Sequence, residues 1–282
     1  MCHVLSQNKI YTELKTGYVT TTLMIDSLLH CDSVLWSSSL LFVLTTSNTT
    51  SPCGLLLGLI LAVRPSFLSV WWSGLTASCS PLTLSGLVIP CLVLVVYWLH
   101  GLLHLAVDIS RWPPLYQYKI QQSRHLDTAR LPQLVLTLVT VQASVFLPVC
   151  YLLALLSVKT DYGLWLEEDD LQLPSNRAIC LHILGFAIVD EILFYLTHRL
   201  AHHKSLYRHV HKVHHEWTAP LALASDYCHP AEHLLVNVLP NIAYAATLGC
   251  DPFSYLIWWV LGYLGSQTNH SGYRYYDILI IN

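Results

Sequence analysis

The sequence predicts an all-α protein, a multi-span transmembrane helical bundle that carries a cytosolic, histidine-rich helical cap. Three observations predict it. The 282 residues are 54% hydrophobic and only 11% charged, more apolar side chain than a soluble core of that size needs. Several apolar runs match the thickness of a bilayer's hydrocarbon core. Nine of the 16 histidines fall between positions 198 and 233. With 14 Lys plus Arg against 17 Asp plus Glu, the net charge of −3 offers no basic footprint, which excludes nucleic acid as a partner.

The N-terminal region, residues 1–52, is poorly defined by its pattern. Its opening MCHVLSQNKIYTELKTG has no continuous apolar run followed by a small-residue cleavage site. Insertion through internal segments is therefore expected, without a cleaved signal peptide. A transmembrane region follows over 53–176. Its first candidate span, 53–72, is weakened by Arg64 and Pro65. The clearest span is 86–107, GLVIPCLVLVVYWLHGLLHLAV, which rises roughly 33 Å as a helix. His100 and His104 are its only ionisable groups. Residues 131–158 form another span, with a kink expected at Pro148. Residues 178–197 are apolar except for His182, Asp190 and Glu191. The run 234–265 is interrupted by Pro240 and by Gly249-Cys250-Asp251-Pro252, which predicts two short helices in a hairpin that dips into the bilayer without crossing it. The total is about four spans.

Loop charge assigns the sides. Residues 108–130 carry Arg111, Lys119, Arg124 and Arg130, whereas 159–175 carry Asp161, Glu167, Glu168, Asp169 and Asp170. Positive-inside places the first loop in the cytosol, and the span beginning near Ala178 then delivers everything after Thr197 to the cytosolic face. The nine cysteines (Cys2, Cys31, Cys53, Cys79, Cys91, Cys150, Cys180, Cys228, Cys250) are odd in number and contain no CxxC pair, so they read as reduced, buried small residues.

The chemistry concentrates in 177–282. If the helix from Ala178 runs on into the cytosol, His198 and His202 stand at i and i+4 on one face, with Glu191 and Tyr195 on the same stripe. In HKVHH a helix would present His211, His214 and His215 together. His229 and His233 form a third group in HPAEH, with His229 just before a helix start because Pro230 follows it. His270 is the fourth element. Imidazole suits iron, zinc, copper and nickel, and each ligating ring needs an acceptor on its other nitrogen; Asp190, Glu191 and Glu232 are the candidates for that second shell. So many rings exceed a single tetrahedral zinc, so two metal ions account for them better. His100, His104 and His182 read as packing residues. His203 and His209 lie off the stripes and read as surface or headgroup contacts. HPAEH also fits the HxxEH pattern of inverted zinc peptidases. That site needs a further carboxylate, for which only Asp251 and Asp277 remain, and it leaves the two earlier clusters unexplained.

The segments LFYLTHRLAHH and LYRHVHKVHHEWTAPLALASDYCHPAEH resemble the fatty acid hydroxylase and sterol desaturase superfamily of membrane di-iron enzymes. The likeness covers about residues 118–273, including YKIQ, the LPS before the third span, and HSGY. It implies an HxxxHH box at His198, His202 and His203, an HxxHH box at His211, His214 and His215, the HPxE histidine at His229, the HSGY histidine at His270, and His233 as a further match. It also implies two non-haem iron ions, O2, and electrons from NAD(P)H through cytochrome b5 or a reductase. The implied setting is the endoplasmic reticulum membrane, multi-pass, with the boxes cytosolic, where the protein oxidises a fatty acyl chain or a sterol in lipid biosynthesis. The family pattern continues after HSGY to a last HxxHH box, whereas this chain runs RYYDILIIN to Asn282. The metal-binding domain is therefore expected to be incomplete at its C-terminus and poorly active. A non-catalytic membrane protein and a zinc-dependent membrane hydrolase are the alternatives.

Overall fold

Proline placement decides how the long helices are built. In the computed structural model, residues 66–160, 163–167 and 171–274 are described. The helices in chain order are α1 (Ser66–Ser78), α2 (Pro81–Ser110), α3 (Pro113–Tyr116), α4 (Thr128–Lys159), α5 (Asn176–Ala201), α6 (Lys204–Tyr207), α7 (230–248) and α8 (Pro252–Ser271). Two 3-10 turns, His211–Glu216 and Ala222–Asp226, stand between α6 and α7. In α2, α4 and α7 a π-helical turn immediately precedes the proline: Leu84–Val88 before Pro90, Gln142–Phe146 before Pro148, and His233–Val238 before Pro240. Proline has no N–H to give and its ring crowds the preceding turn, and a wider turn accommodates both defects without ending the helix. Pro240 therefore does not break the apolar run. The break falls at Gly249, whose φ of 76° ends α7 before Asp251 caps α8 by accepting from Ser254 N–H at 2.7 Å.

Helices α2, α4 and α5 are long and apolar enough to cross a membrane, and they are the three such helices among the described residues. The expected span at 53–72 falls mostly outside those residues, and its described part belongs to the 13-residue α1. Leu181, Leu184, Ile188, Ile192 and Leu196 of α5 are exposed, an apolar face suited to acyl chains rather than water. Helix α8 is the core of the bundle. Its first eight residues, 252–259, are all buried, and its aromatics meet α1, α2, α4 and α5 through Phe253–Trp72, Tyr263–Tyr97, Trp259–Phe146 and Trp258–Phe186 contacts with centroids 4.9–5.1 Å apart. Six cysteines are free; Cys150, Cys228 and Cys250 are buried as expected, whereas Cys91 is exposed on α2. Cys2, Cys31 and Cys53 lie outside the described residues.

Gly185 lets α5 approach α7. A Cβ built there would lie 2.2 Å from Cε2 of Tyr244, a ring that also packs on Phe186 and accepts or donates at His182 Nδ1, 3.1 Å away. Gly185→Ala should destabilise the bundle by roughly 1–3 kcal/mol, the usual cost of overpacking, as a lowered thermal midpoint in detergent. An unchanged midpoint would mean that Tyr244 can swing away freely.

Candidate metal centre

The site forms where α5 leaves the apolar bundle. Ser175 starts α5 by accepting from Ala178 N–H, and 26 helical residues later the helix ends with His202 as its C-cap. His198 and His202 thus sit one turn apart at its last turn, their Nε2 atoms 3.2 Å from each other. The chain reverses through α6 and returns as the turn His211–Glu216. This turn is 3-10, not the α-helix expected from HKVHH, and the difference matters. Tighter winding brings His211 and His214, at i and i+3, into register, their rings stacked 5.6 Å apart, and sets His215 off that line. His211 and His215 turn toward α5, with His211 Nε2 lying 2.9 Å from His202 Nε2 and 3.0 Å from His215 Nε2. His214 turns toward α8, its Nε2 3.3 Å from that of His270.

These spacings fit shared ligation. Nitrogens about 2.1 Å from one ion stand roughly 3.0–3.4 Å apart at right-angled to tetrahedral geometry. Hydrogen bonding alone does not satisfy the group, because His211 Nδ1 is paired with Glu232 Oε1 at 2.6 Å and its single Nε2, with or without a proton, faces two other rings. His198, His202 and His211 bring their ligand atoms within 4.8 Å of one another. In the second pair, His270 Nδ1–H donates to Ser266 O at 2.8 Å and His214 Nδ1–H to Tyr227 O at 3.3 Å, which frees both Nε2 atoms. His233 is buried with Nε2 unpartnered, while its Nδ1 meets Asn237 Nδ2 at 3.4 Å. A histidine set with bare, converging Nε2 atoms, a carboxylate behind one ring and backbone carbonyls behind two others fits a late first-row metal such as iron or zinc.

Burial keeps His211, His214 and His215 neutral. It pushes His211 down to about 3, helped by the rings of His202, His198, His215 and His214. His214 is pushed down to about 4 by burial and then by His270, and His215 is lowered by burial and His202. At neutral pH these three rings therefore carry no second proton that would block ligation. Burial also pushes the Glu232 carboxyl up to about 8.

Other expected site residues are placed differently. His203 is exposed and caps α6, accepting from Ser205 N–H, and His229 is exposed and caps α7, accepting from Ala231 N–H. Neither ring contacts the two groups above. His209 is exposed and accepts from Arg208 Nε. Glu191 is exposed and Asp190 keeps a buried Oδ1 with no hydrogen-bond partner; neither carboxylate bonds to a ring of the cluster. Glu232 does, which commits it to His211 and removes it from the water-activating role of a peptidase; Asp251 is occupied by Ser254, and Asp277 lies outside the described residues. Two aromatic supports carry no signature in sequence: Phe194 stacks on His198 and Tyr207 on His202. The far end of the 3-10 turn is braced by Arg130, which pairs with Glu216 at 3.1 Å and covers the Trp217 ring.

The sequence profile of the fatty acid hydroxylase family matches residues 183–281, which include every histidine of the cluster. Fatty acid hydroxylase domain-containing protein 2 of Homo sapiens is 33% identical over 190 residues, 66% of this chain and 54% of that protein, so the chain spans about half of that relative's length. A very-long-chain aldehyde decarbonylase, GL1-11, of Oryza sativa subsp. japonica is 34% identical over 204 residues, 72% of this chain and 73% of the relative. Methylsterol monooxygenase 2-2 of Arabidopsis thaliana is 33% identical over 180 residues, 64% of each. No solved structure matches. At that identity and coverage of the decarbonylase, the chain belongs to the fatty acid hydroxylase family.

Proposed function

We propose that this protein is a membrane-bound, non-haem di-iron oxidoreductase that oxidises a lipid with O2. The observation that carries the proposal is the convergence of bare Nε2 atoms in two adjoining groups, His198, His202, His211 and His215 in one and His214 and His270 in the other. His233 is buried and unpartnered at Nε2, but its Nδ1 accepts from Asn237, so it would join them only after a change of tautomer. The activities for which two relatives are named, aldehyde decarbonylase and methylsterol monooxygenase, favour lipid redox chemistry over hydrolysis.

The chain's own residues would do four things. Imidazoles in a fixed tautomer hold the metal, because Glu232, Tyr227 O and Ser266 O each take the proton of the far ring nitrogen. Phe194 and Tyr207 hold the His198 and His202 rings in orientation. The apolar helices α2, α4 and α5 admit a lipid from the bilayer and keep water away from the reacting carbon. Placed at the end of a membrane-spanning helix, the cluster also meets an electron donor such as cytochrome b5 or a reductase from the aqueous side. Iron bound there supplies oxygen activation and removal of hydrogen from carbon.

The full chain, purified in detergent after expression in iron- and zinc-supplied cells, tests this by elemental analysis and by incorporation of labelled O2 into fatty acyl and sterol fractions. Iron together with oxygen-dependent lipid oxidation is the expected outcome. Zinc without iron would favour a hydrolase, and no metal at all a non-catalytic membrane protein. The proposed location, the endoplasmic reticulum membrane with the histidines on the cytosolic side, makes a separate prediction. Tags inserted singly after Ser123 and after Ser205 should both be digested by protease added to sealed microsomes. Protection of the second tag would move the centre to the lumen and remove the electron-donor argument.

A further inference from the structure

The segment YKIQ at 118–121 has no part in the metal centre, yet it is bonded to chain segments on either side of its ligands. Lys119 is buried, with a side chain 6% exposed. Its Nζ donates to Asp108 Oδ1 at 2.7 Å, to Ser271 O at 2.8 Å and to Pro220 O at 3.0 Å, and stands 4.6 Å from the centre of the Tyr273 ring. Tyr273 O–H completes the arrangement by donating to the same Asp108 oxygen at 2.6 Å. Backbone pairing reinforces it: Lys119 and Tyr273 form an antiparallel bridge, Ile120 N–H donates to Gly272 O at 2.9 Å, and Arg274 N–H donates to Tyr118 O at 3.1 Å. At Gly272, φ is 72° and a Cβ would lie 2.6 Å from Pro220 Cβ, so the end of α8 is pressed against the segment that follows the 3-10 turn.

The four segments so joined are not arbitrary. Ser271 follows His270 in sequence, and Pro220 lies between the turn that carries His214 and the turn that carries Tyr227, whose carbonyl orients the His214 ring. An ammonium buried with three oxygen acceptors and an aromatic face is fully satisfied only when those segments take one relative position, because any displacement leaves a buried charge short of partners. We infer that Lys119, with Asp108 and Tyr273, is a positioning group that sets His270 against His214 and so forms the second half of the metal centre. It acts through the ligands and touches neither metal nor substrate. The inference rests on the metal centre proposed above.

The test is metal affinity, measured by competition with a chelator on the purified full chain, together with gel filtration in detergent to confirm folding. Lys119→Met should lower the affinity of the weaker-bound ion by roughly 10-fold or more, as loss of an outer-shell partner does. The effect should be coupled: Lys119→Met should add little in a His270→Ala chain, but its full amount in a His198→Ala chain. Because Lys119→Met leaves Asp108 buried with its charge uncovered, Asp108→Leu/Lys119→Met removes both charges and should lose affinity as well. Wild-type affinity in either variant would overturn the inference, as would an equal effect of Lys119→Met in the His270→Ala and His198→Ala backgrounds, which is the mark of general destabilisation. If His198→Ala and His270→Ala themselves cost no metal, the failure lies with the metal centre and not with the clamp.

Discussion

His211→Ala should be the most damaging single substitution in the protein, lowering metal affinity by more than the roughly 10–100-fold that an outer-shell partner carries and abolishing lipid oxidation. The expectation follows from position. His211 is the one ring fully buried in its group, and its Nε2 lies within 3.0 Å of two other Nε2 atoms; His202 also meets two, at 2.9 and 3.2 Å, but is exposed, and His198 and His215 each bond one through Nε2. Its loss also leaves Glu232 buried with neither oxygen bonded, since Oε2 already lacks a partner. His209→Ala, two residues earlier, is the control: that ring is exposed and bonded only to Arg208, so metal content should not change. His203→Ala and His229→Ala lose helix caps, worth about 1 kcal/mol each, without losing a converging Nε2. Elemental analysis of the four purified variants decides the ranking. If His203→Ala or His229→Ala lost as much metal as His211→Ala, the ligand groups drawn from the geometry would be wrong.

The contrast between His211 and His203 shows what was legible in the sequence. Apolar runs of bilayer length gave the spans around Tyr97, Leu138 and Phe186, because hydrophobicity and length alone select a crossing helix. The i, i+4 spacing gave the His198–His202 pair, because α5 stays regular to Ala201. Spacing failed in HKVHH, where an α-helical period was read onto a six-residue 3-10 turn; His214 stacks on His211, but its Nε2 meets His270 instead of the rings of α5. Nothing local specifies that turn; it is held from outside by Arg130 on Glu216 and Trp217, partners far away in sequence. Motif likewise failed to separate ligand from cap at His203 and His229, since histidine at an N-cap position satisfies a backbone N–H as readily as it binds metal.

The second-shell carboxylates divide in the same way. Asp190 and Glu191 were drawn in by membrane cost, because an acid in an apolar span calls for a partner. They stand about two helical turns before His198 on α5, and no hydrogen bond joins them to the cluster. Glu232 stood out only as part of HPAEH. Its role depends on α7 packing beside the 3-10 turn, a contact across 21 residues that no spacing rule contains. The prolines tell the same story on the scale of a helix: Pro148 announced a kink and Pro240 a break, but whether a helix breaks or widens by a π turn is settled by the neighbours that hold it.

Glu232 should also give metal binding its pH dependence. In the metal-free chain burial holds its carboxyl up to about 8, so at neutral pH it is mostly protonated. A protonated Glu232 donates to His211 Nδ1, which places the proton of the neutral ring on Nε2, the atom that faces His202 and His215. Metal uptake needs the opposite arrangement, Nδ1–H donating to a carboxylate, so one proton must leave the pair as the ion enters. Affinity should therefore rise about 10-fold per pH unit below roughly 8 and level off above it. The stability of the metal-free chain should run the other way. A carboxyl whose folded pKa is raised contributes stability that is complete below the usual carboxylate range and is lost as pH climbs through about 8. Glu232→Gln keeps an oxygen that can accept Nδ1–H but carries no titrating proton, so it should bind metal more weakly and remove this step from the profile. Glu232→Leu, with no acceptor, should lose roughly 10–100-fold in affinity. Chelator competition across the range below and above pH 8 measures all three chains. A profile for Glu232→Gln as steep as the wild type would assign the proton to another group and leave Glu232 with an orienting role alone.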